Sequence, residues 1–162
     1  MASGITNKGK AWILETAFRK QMNGGSVSDT MYIALIKDDN VPDQDDTTWN
    51  DLNGTEIAAG NGYTAGGISL TRGTTDFDVV ISDADADTNN YGYIQLKNIE
   101  WTATGTFPSS GDGASYAVLM DNAGSSADAT GNKVIAWFDL GGERTLSSGQ
   151  KLSLQDLEIR LT

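Results

Sequence analysis

The chain has no histidine and no cysteine among its 162 residues. Without histidine, the Ser-His-Asp arrangement and its relatives lack their usual general base. Without cysteine there is neither a thiol nucleophile nor a thiolate zinc site. The missing thiols also leave no disulfide framework, so the composition does not mark an oxidising compartment. Proline occurs 2 times against 19 glycines, which points to many tight turns and few extended linkers. Basic residues are scarce, 11 against 22 acidic ones, for a net charge of −11. No basic surface is at hand to displace counterions from nucleic-acid phosphates or to hold an anionic membrane. The acidity reads first as a means of staying soluble, with complementarity to a basic partner surface as the functional alternative. Long apolar runs are missing as well. The stretch after Lys8 and Lys10 is broken by Glu15 and Arg19, so no signal peptide or transmembrane helix is expected and the chain reads as made in a cytosol.

What is present is a helix followed by strands. Thr6 or Asn7 can cap a helix over Asn7–Met22, with Asn23-Gly24-Gly25 as its stop. Ala11, Leu14, Ala17 and Phe18 share one face of it, with Ile13 beside them, and Trp12 lies off that stripe, as core at the helix edge or as an exposed anchor for a partner. Thereafter the period is that of β structure. Met31–Ile36 is apolar on both faces, as a central strand must be. Strands are expected at Gly67–Arg72, Phe77–Ile81, Tyr91–Trp101, Tyr116–Asp121 and Val134–Leu140, and over the closing residues. Apolar parity switches within Tyr91–Trp101, and again between Leu152/Leu154 and Leu157/Ile159/Leu161. Each switch reads as a β-bulge. Asp43–Gly54 and Gly124–Gly131 read as exposed loops. The expectation is a mainly β protein, an antiparallel β-sandwich or jelly-roll-like domain with one N-terminal α-helix. Residues 1–25 would form the helix and arm and residues 26–162 the sandwich, one domain overall.

This frame carries few residues arranged for chemistry. There is no phosphate-binding G-x-x-x-x-G-K-[ST] loop, and the glycines of 60–67 open no helix. Asp83, Asp85 and Asp87 form an acidic cluster, but an EF-hand loop would need glycine where Thr88 stands and glutamate where Ile94 stands. The cluster reads as a solvated turn, with a looser calcium site including Asn89 or Asn90 as the alternative. A carboxylate pair could serve a glycosidase, yet any acidic surface supplies such pairs, so neither catalysis nor a cofactor is expected. Trp101 and Trp137 fall in strand patterns and read as core. Trp49 stands in a polar segment and reads as an exposed contact, for a protein surface or for a sugar.

Several passages resemble small virion proteins of tailed bacteriophages. They are Ile5-Thr6-Asn7-Lys8-Gly9-Lys10 opening the helix, Met31–Ile36, Leu52–Gly67, Ser110–Asp121 and Ala136–Thr162. Within that group the chain most resembles capsid decoration (cement) proteins. The resemblance implies a virion protein that binds the major capsid protein or other virion proteins on the outer head. It also implies a homo-oligomer, often a trimer, with neither nucleic acid nor membrane as partner. A tail, baseplate or fibre-attachment adaptor is the alternative within the group, and a carbohydrate-binding module the alternative outside it. On this reading the contact residues would be Trp12, Asp45, Asp46, Trp49, Asn61 and Tyr63. They lie in the N-terminal segment, in the projecting loop Asp38–Gly54, and among Gly54, Gly60, Gly62, Gly66 and Gly67, where backbone could approach a partner closely.

Overall fold

The computed structural model describes residues 14, 17, 18, 30–80, 88, 91–122 and 124–161, with residues 78–80 as backbone only. The protein is mainly β, with antiparallel sheets. Nine strands lie among the described residues: β1 Thr30–Ile36, β2 Ile68–Thr71, β3 Phe77–Val80, β4 Gly92–Leu96, β5 Ile99–Thr102, β6 Ala114–Met120, β7 Val134–Arg144, β8 Lys151–Leu154 and β9 Glu158–Leu161. A short helix, α1, spans Trp49–Leu52 and runs into a 3-10 turn at Asn53–Thr55. Leu14, Ala17 and Phe18 are helical, as the N-terminal pattern requires, and the rest of that expected helix lies outside the described residues. The chain divides into two compact units. One comprises Met1–Val27, Thr71–Ile99 and Leu154–Thr162, and the other Ser28–Leu70 and Glu100–Ser153.

The larger unit is built on a four-stranded sheet of order β2-β1-β6-β7. β1 and β6 pair antiparallel from Tyr32↔Met120 to Ile36↔Tyr116. Ile33, Ala34, Leu35 and Ile36 are fully buried, as are Ala117, Val118, Leu119 and Met120. Two adjacent strands without a solvated face explain why both read as continuous apolar runs. Over one face of this sheet α1 places Trp49 and Leu52, which pack with Ala34, Ile36, Val118 and Met120. Tyr32, Tyr116 and Val134 border that cluster. Asp51 holds the start of α1 by accepting from the backbone N–H groups of Thr47 (3.0 Å) and Thr48 (2.9 Å), one half of a capping box.

Glycine conformation decides how the segment before β2 lies. Gly67 has φ +81°, and a Cβ there would stand 1.9 Å from the Ile33 carbonyl oxygen. At Gly62, with φ +104°, a Cβ would likewise collide with the Thr102 carbonyl oxygen. The close approaches expected toward a partner are therefore made, at these two positions, to backbone of the chain itself.

The smaller unit holds the three-stranded sheet β3-β4-β9, with Ile94 opposite Ile159 and Tyr93 opposite Arg160. Phe77, Ile94 and Leu96 are buried, and the Phe18 ring meets Phe77 at 5.2 Å. Both of the expected bulges are breaks instead. Tyr91–Trp101 is not one strand. It divides at Lys97-Asn98 into β4, in the three-stranded sheet, and β5, which pairs with β8 in a sheet of two. Likewise Gln155-Asp156-Leu157 separates β8 from β9, and Asp156 takes a positive φ of 55°. A strand that leaves one sheet for another changes which of its faces is buried, and that produces the same parity switch as a bulge.

Candidate functional site

β7 is an edge strand of the four-stranded sheet, at the side away from β2, and its length of 11 residues exceeds that of every other strand among the described residues. Ile135 and Trp137 on it are 37% and 39% exposed. Val134, Ala136, Phe138 and Leu140 between them are only half-buried. Trp137 was expected in the core. It stands opposite Val118 in the β6–β7 ladder but at the sheet margin, where no further described strand covers it. Asp139, two residues on and opposite Tyr116, shares its face.

Both ends of this edge are closed. At the start, the Val134 N–H donates to the Thr47 carbonyl oxygen (3.1 Å) and Trp49 N–H to that of Asn132 (2.7 Å). These groups point away from β6, because the Lys133 carbonyl between them accepts from Asp121 N–H at 3.0 Å. The segment before α1 thus acts as a short cover. At the far end the register slips between Tyr116↔Asp139 and Ala114↔Arg144. Gly141 and Gly142 take φ +72° and +118° there. Asp139 Oδ1 accepts from Gly141 N–H (2.7 Å), and the Arg144 guanidinium turns back onto the Leu140 carbonyl. Between cover and bulge lies Ile135–Asp139, without lysine or proline; its guards are the charge of Asp139 and a second bulge at Ile135, where the register slips between Met120↔Val134 and Leu119↔Ala136.

The expected contact residues have other placements. Trp12 and the Asp83, Asp85, Asp87 cluster lie outside the described residues. Trp49 is 1% exposed and so is not a surface contact: α1 turns it inward from a polar stretch, and the segment Asp38–Gly54 supplies core as well as loop. Tyr63 is likewise buried, at 3%. Its hydroxyl donates to Glu56 Oε1 (2.7 Å) and accepts from Leu35 N–H (3.0 Å), while Gly66 N–H donates to the same carboxylate oxygen at 2.6 Å. Desolvation raises the pKa of Glu56, and desolvation followed by the Glu56 charge raises that of Tyr63 well above its ordinary value. Asn61, in the left-handed region at φ 52°, donates from Nδ2 to the Thr106 carbonyl at 2.7 Å. Asn61 and Tyr63 therefore knit the chain together.

Asp45 and Asp46 remain at the surface, exposed and half-buried, in a turn where Asp46 Oδ2 accepts from Asp43 N–H (2.9 Å) and Asp43 Oδ1 from Asp45 N–H (2.7 Å). That turn leads directly into Thr47, so these acids flank the closed end of the β7 edge. Among the described residues no group of three acidic side chains is placed to hold a metal ion, and no helix is long and apolar enough to cross a membrane. Searches against protein-family models, curated proteins and solved structures return no match to the chain.

Proposed function

We propose that the protein is a structural component of a tailed-phage particle, a decoration protein that binds the outer capsid surface and reinforces the head by adhesion. The observation that carries this reading is the open edge Ile135–Asp139, where an exposed tryptophan and isoleucine stand on an otherwise ordered strand. Large apolar side chains held rigidly at a surface are what a protein interface needs. A sandwich or jelly-roll-like arrangement of the sheets, and assembly as a homo-oligomer such as a trimer, belong to the same proposal. So do the virion as location and capsid or other virion proteins as partners. The net charge of −11 disfavours nucleic acid and anionic membrane alike. A sugar-binding reading loses the tryptophan on which it rested, because Trp49 is buried.

The test is the copy number of this protein in purified particles of the phage that encodes it, by quantitative mass spectrometry. A count comparable to that of the major capsid protein supports capsid decoration. A small count set by tail symmetry moves the protein to a tail adaptor. Absence from particles overturns the proposal.

A further inference from the structure

We propose that the β7 edge is completed by an extended segment of a partner protein that carries basic residues, which pairs along Ile135–Asp139 as an added strand. The inference rests on the adhesive reading above and names the chemistry of its partner. The backbone argues for a strand as the occupant. Val134 is already paired outward to Thr47, so the same edge has begun a ladder that stops after one residue. Beyond it, the groups of Ile135–Asp139 that face away from β6 have no described strand beside them, and the bulges at Ile135 and at Gly141-Gly142 limit the opening to one short strand. A strand laid there would cover Ile135 and Trp137 and complete the burial of Ala136 and Phe138.

Charge argues for a basic segment. Asp43, Asp45 and Asp46 flank one end of the opening, where Asp121 also lies, its Oδ1 accepting from Lys133 N–H at 2.7 Å. Asp139 and Glu143 flank the other end, Asp139 Oδ1 accepting from Gly141 N–H and Glu143 Oε1 from Gly113 N–H, each at 2.7 Å. Against these stand Lys133 and Arg144, and Arg144 is turned back onto Leu140. Trp137 and Tyr116 beside Asp139 offer aromatic faces to a guanidinium or ammonium group. A second copy of the chain would bring the same acids, and a net charge of −11, against themselves.

The probe is a synthetic peptide of alternating valine and threonine with arginine at both ends, titrated against the full chain and followed by tryptophan emission and calorimetry. Control peptides carry glutamate at the ends, or a proline at the centre that cannot join a ladder. Binding of the arginine peptide, about tenfold weaker for the glutamate peptide at low salt and lost for the proline peptide, supports the proposal. Ile135→Lys should weaken the arginine peptide by at least about tenfold. Ile135 is exposed, so this variant keeps the fold, which circular dichroism checks. Equal binding by wild type and Ile135→Lys, equal binding of both end charges, or concentration-dependent self-association abolished by Ile135→Lys would each overturn it. Peptide binding by a protein absent from virions would retain the edge and sink the capsid reading. Virion incorporation without any peptide preference would do the reverse.

Discussion

The phenol of Tyr63 stands beside Leu35 in the place of a neighbouring strand, accepting its backbone N–H at 3.0 Å while donating to Glu56 at 2.7 Å. Ile57 N–H completes the arrangement by donating to the Leu35 carbonyl at 3.1 Å. One residue of β1 is thus satisfied on this side by a loop amide and a side chain.

Replacing Tyr63 by Phe keeps the ring, and its edge contact with Phe107 at 6.1 Å, but removes the acceptor for Leu35. Leu35 is fully buried, so its N–H is left without a partner and water cannot reach it. The expected loss is about 1–3 kcal/mol of stability, the usual cost of an orphaned buried donor. Urea unfolding followed by circular dichroism measures it, and amide exchange at Leu35 should quicken well beyond that at Ala117 on β6. Unchanged stability would mean that the hydroxyl holds nothing.

Glu56 gives this corner a pH signature. Desolvation lifts its pKa, outweighing the hydrogen bonds from Tyr63 and Gly66, and the Asp128 charge adds to the lift. The folded protein therefore binds the proton more tightly than the unfolded chain. The contribution of this group to stability is fully present below the ordinary glutamate value and is lost as pH rises through the raised folded value. Asp51, lowered first by the Thr48 backbone N–H, and Glu100, lowered first by Lys151, behave oppositely and lose their contributions as pH falls below the ordinary carboxylate range. Glu56→Gln retains an acceptor for Tyr63 and Gly66 but cannot ionise. Unfolding midpoints of wild type and Glu56→Gln across mildly acidic to neutral pH should diverge, with wild type losing ground as pH rises. Parallel curves would show that Glu56 ionises equally well in both states.

Much of the β framework was legible because burial on two faces leaves an unambiguous trace. Ile33-Ala34-Leu35-Ile36 and Ala117–Met120 carry no polar side chain, and both proved central. The breaks were visible but not their cause. Between Leu96 and Ile99 the parity shift is the same whether a strand bulges or joins another sheet, since the partner strands β9 and β8 are remote in sequence. Local sequence points away from the candidate site for a related reason. Trp49 sits among Asp45, Asp46, Thr47, Thr48, Asn50 and Asp51, and local polarity predicts exposure. A single turn of helix overrides it. Trp137 sits in an apolar run, and local composition predicts burial, yet its strand is last in the sheet. Strand order is a property of long-range pairing that local composition does not carry. The only local sign was Asp139, two residues along on the face of Trp137.

The two tryptophans should accordingly respond in opposite ways to the same change. Trp49→Ala removes a fully buried indole from the cluster it forms with Leu52, Ala34, Ile36, Val118 and Met120, a deletion that costs about 3–5 kcal/mol when the surroundings cannot collapse. Trp137→Ala removes a side chain that is 39% exposed at the sheet margin, so stability should change far less, toward the ~0.5 kcal/mol typical of surface positions. Because each substitution alters the fluorescence, unfolding is best followed by far-ultraviolet circular dichroism. Acrylamide quenching supplies the complementary readout. The readily quenched fraction of wild-type emission should fall in Trp137→Ala, since among the described residues that indole is the one open to solvent, and loss of Trp49 should leave the fraction in place. If Trp137→Ala proves as destabilising as Trp49→Ala, its indole is part of the core and the β7 edge is not a free surface.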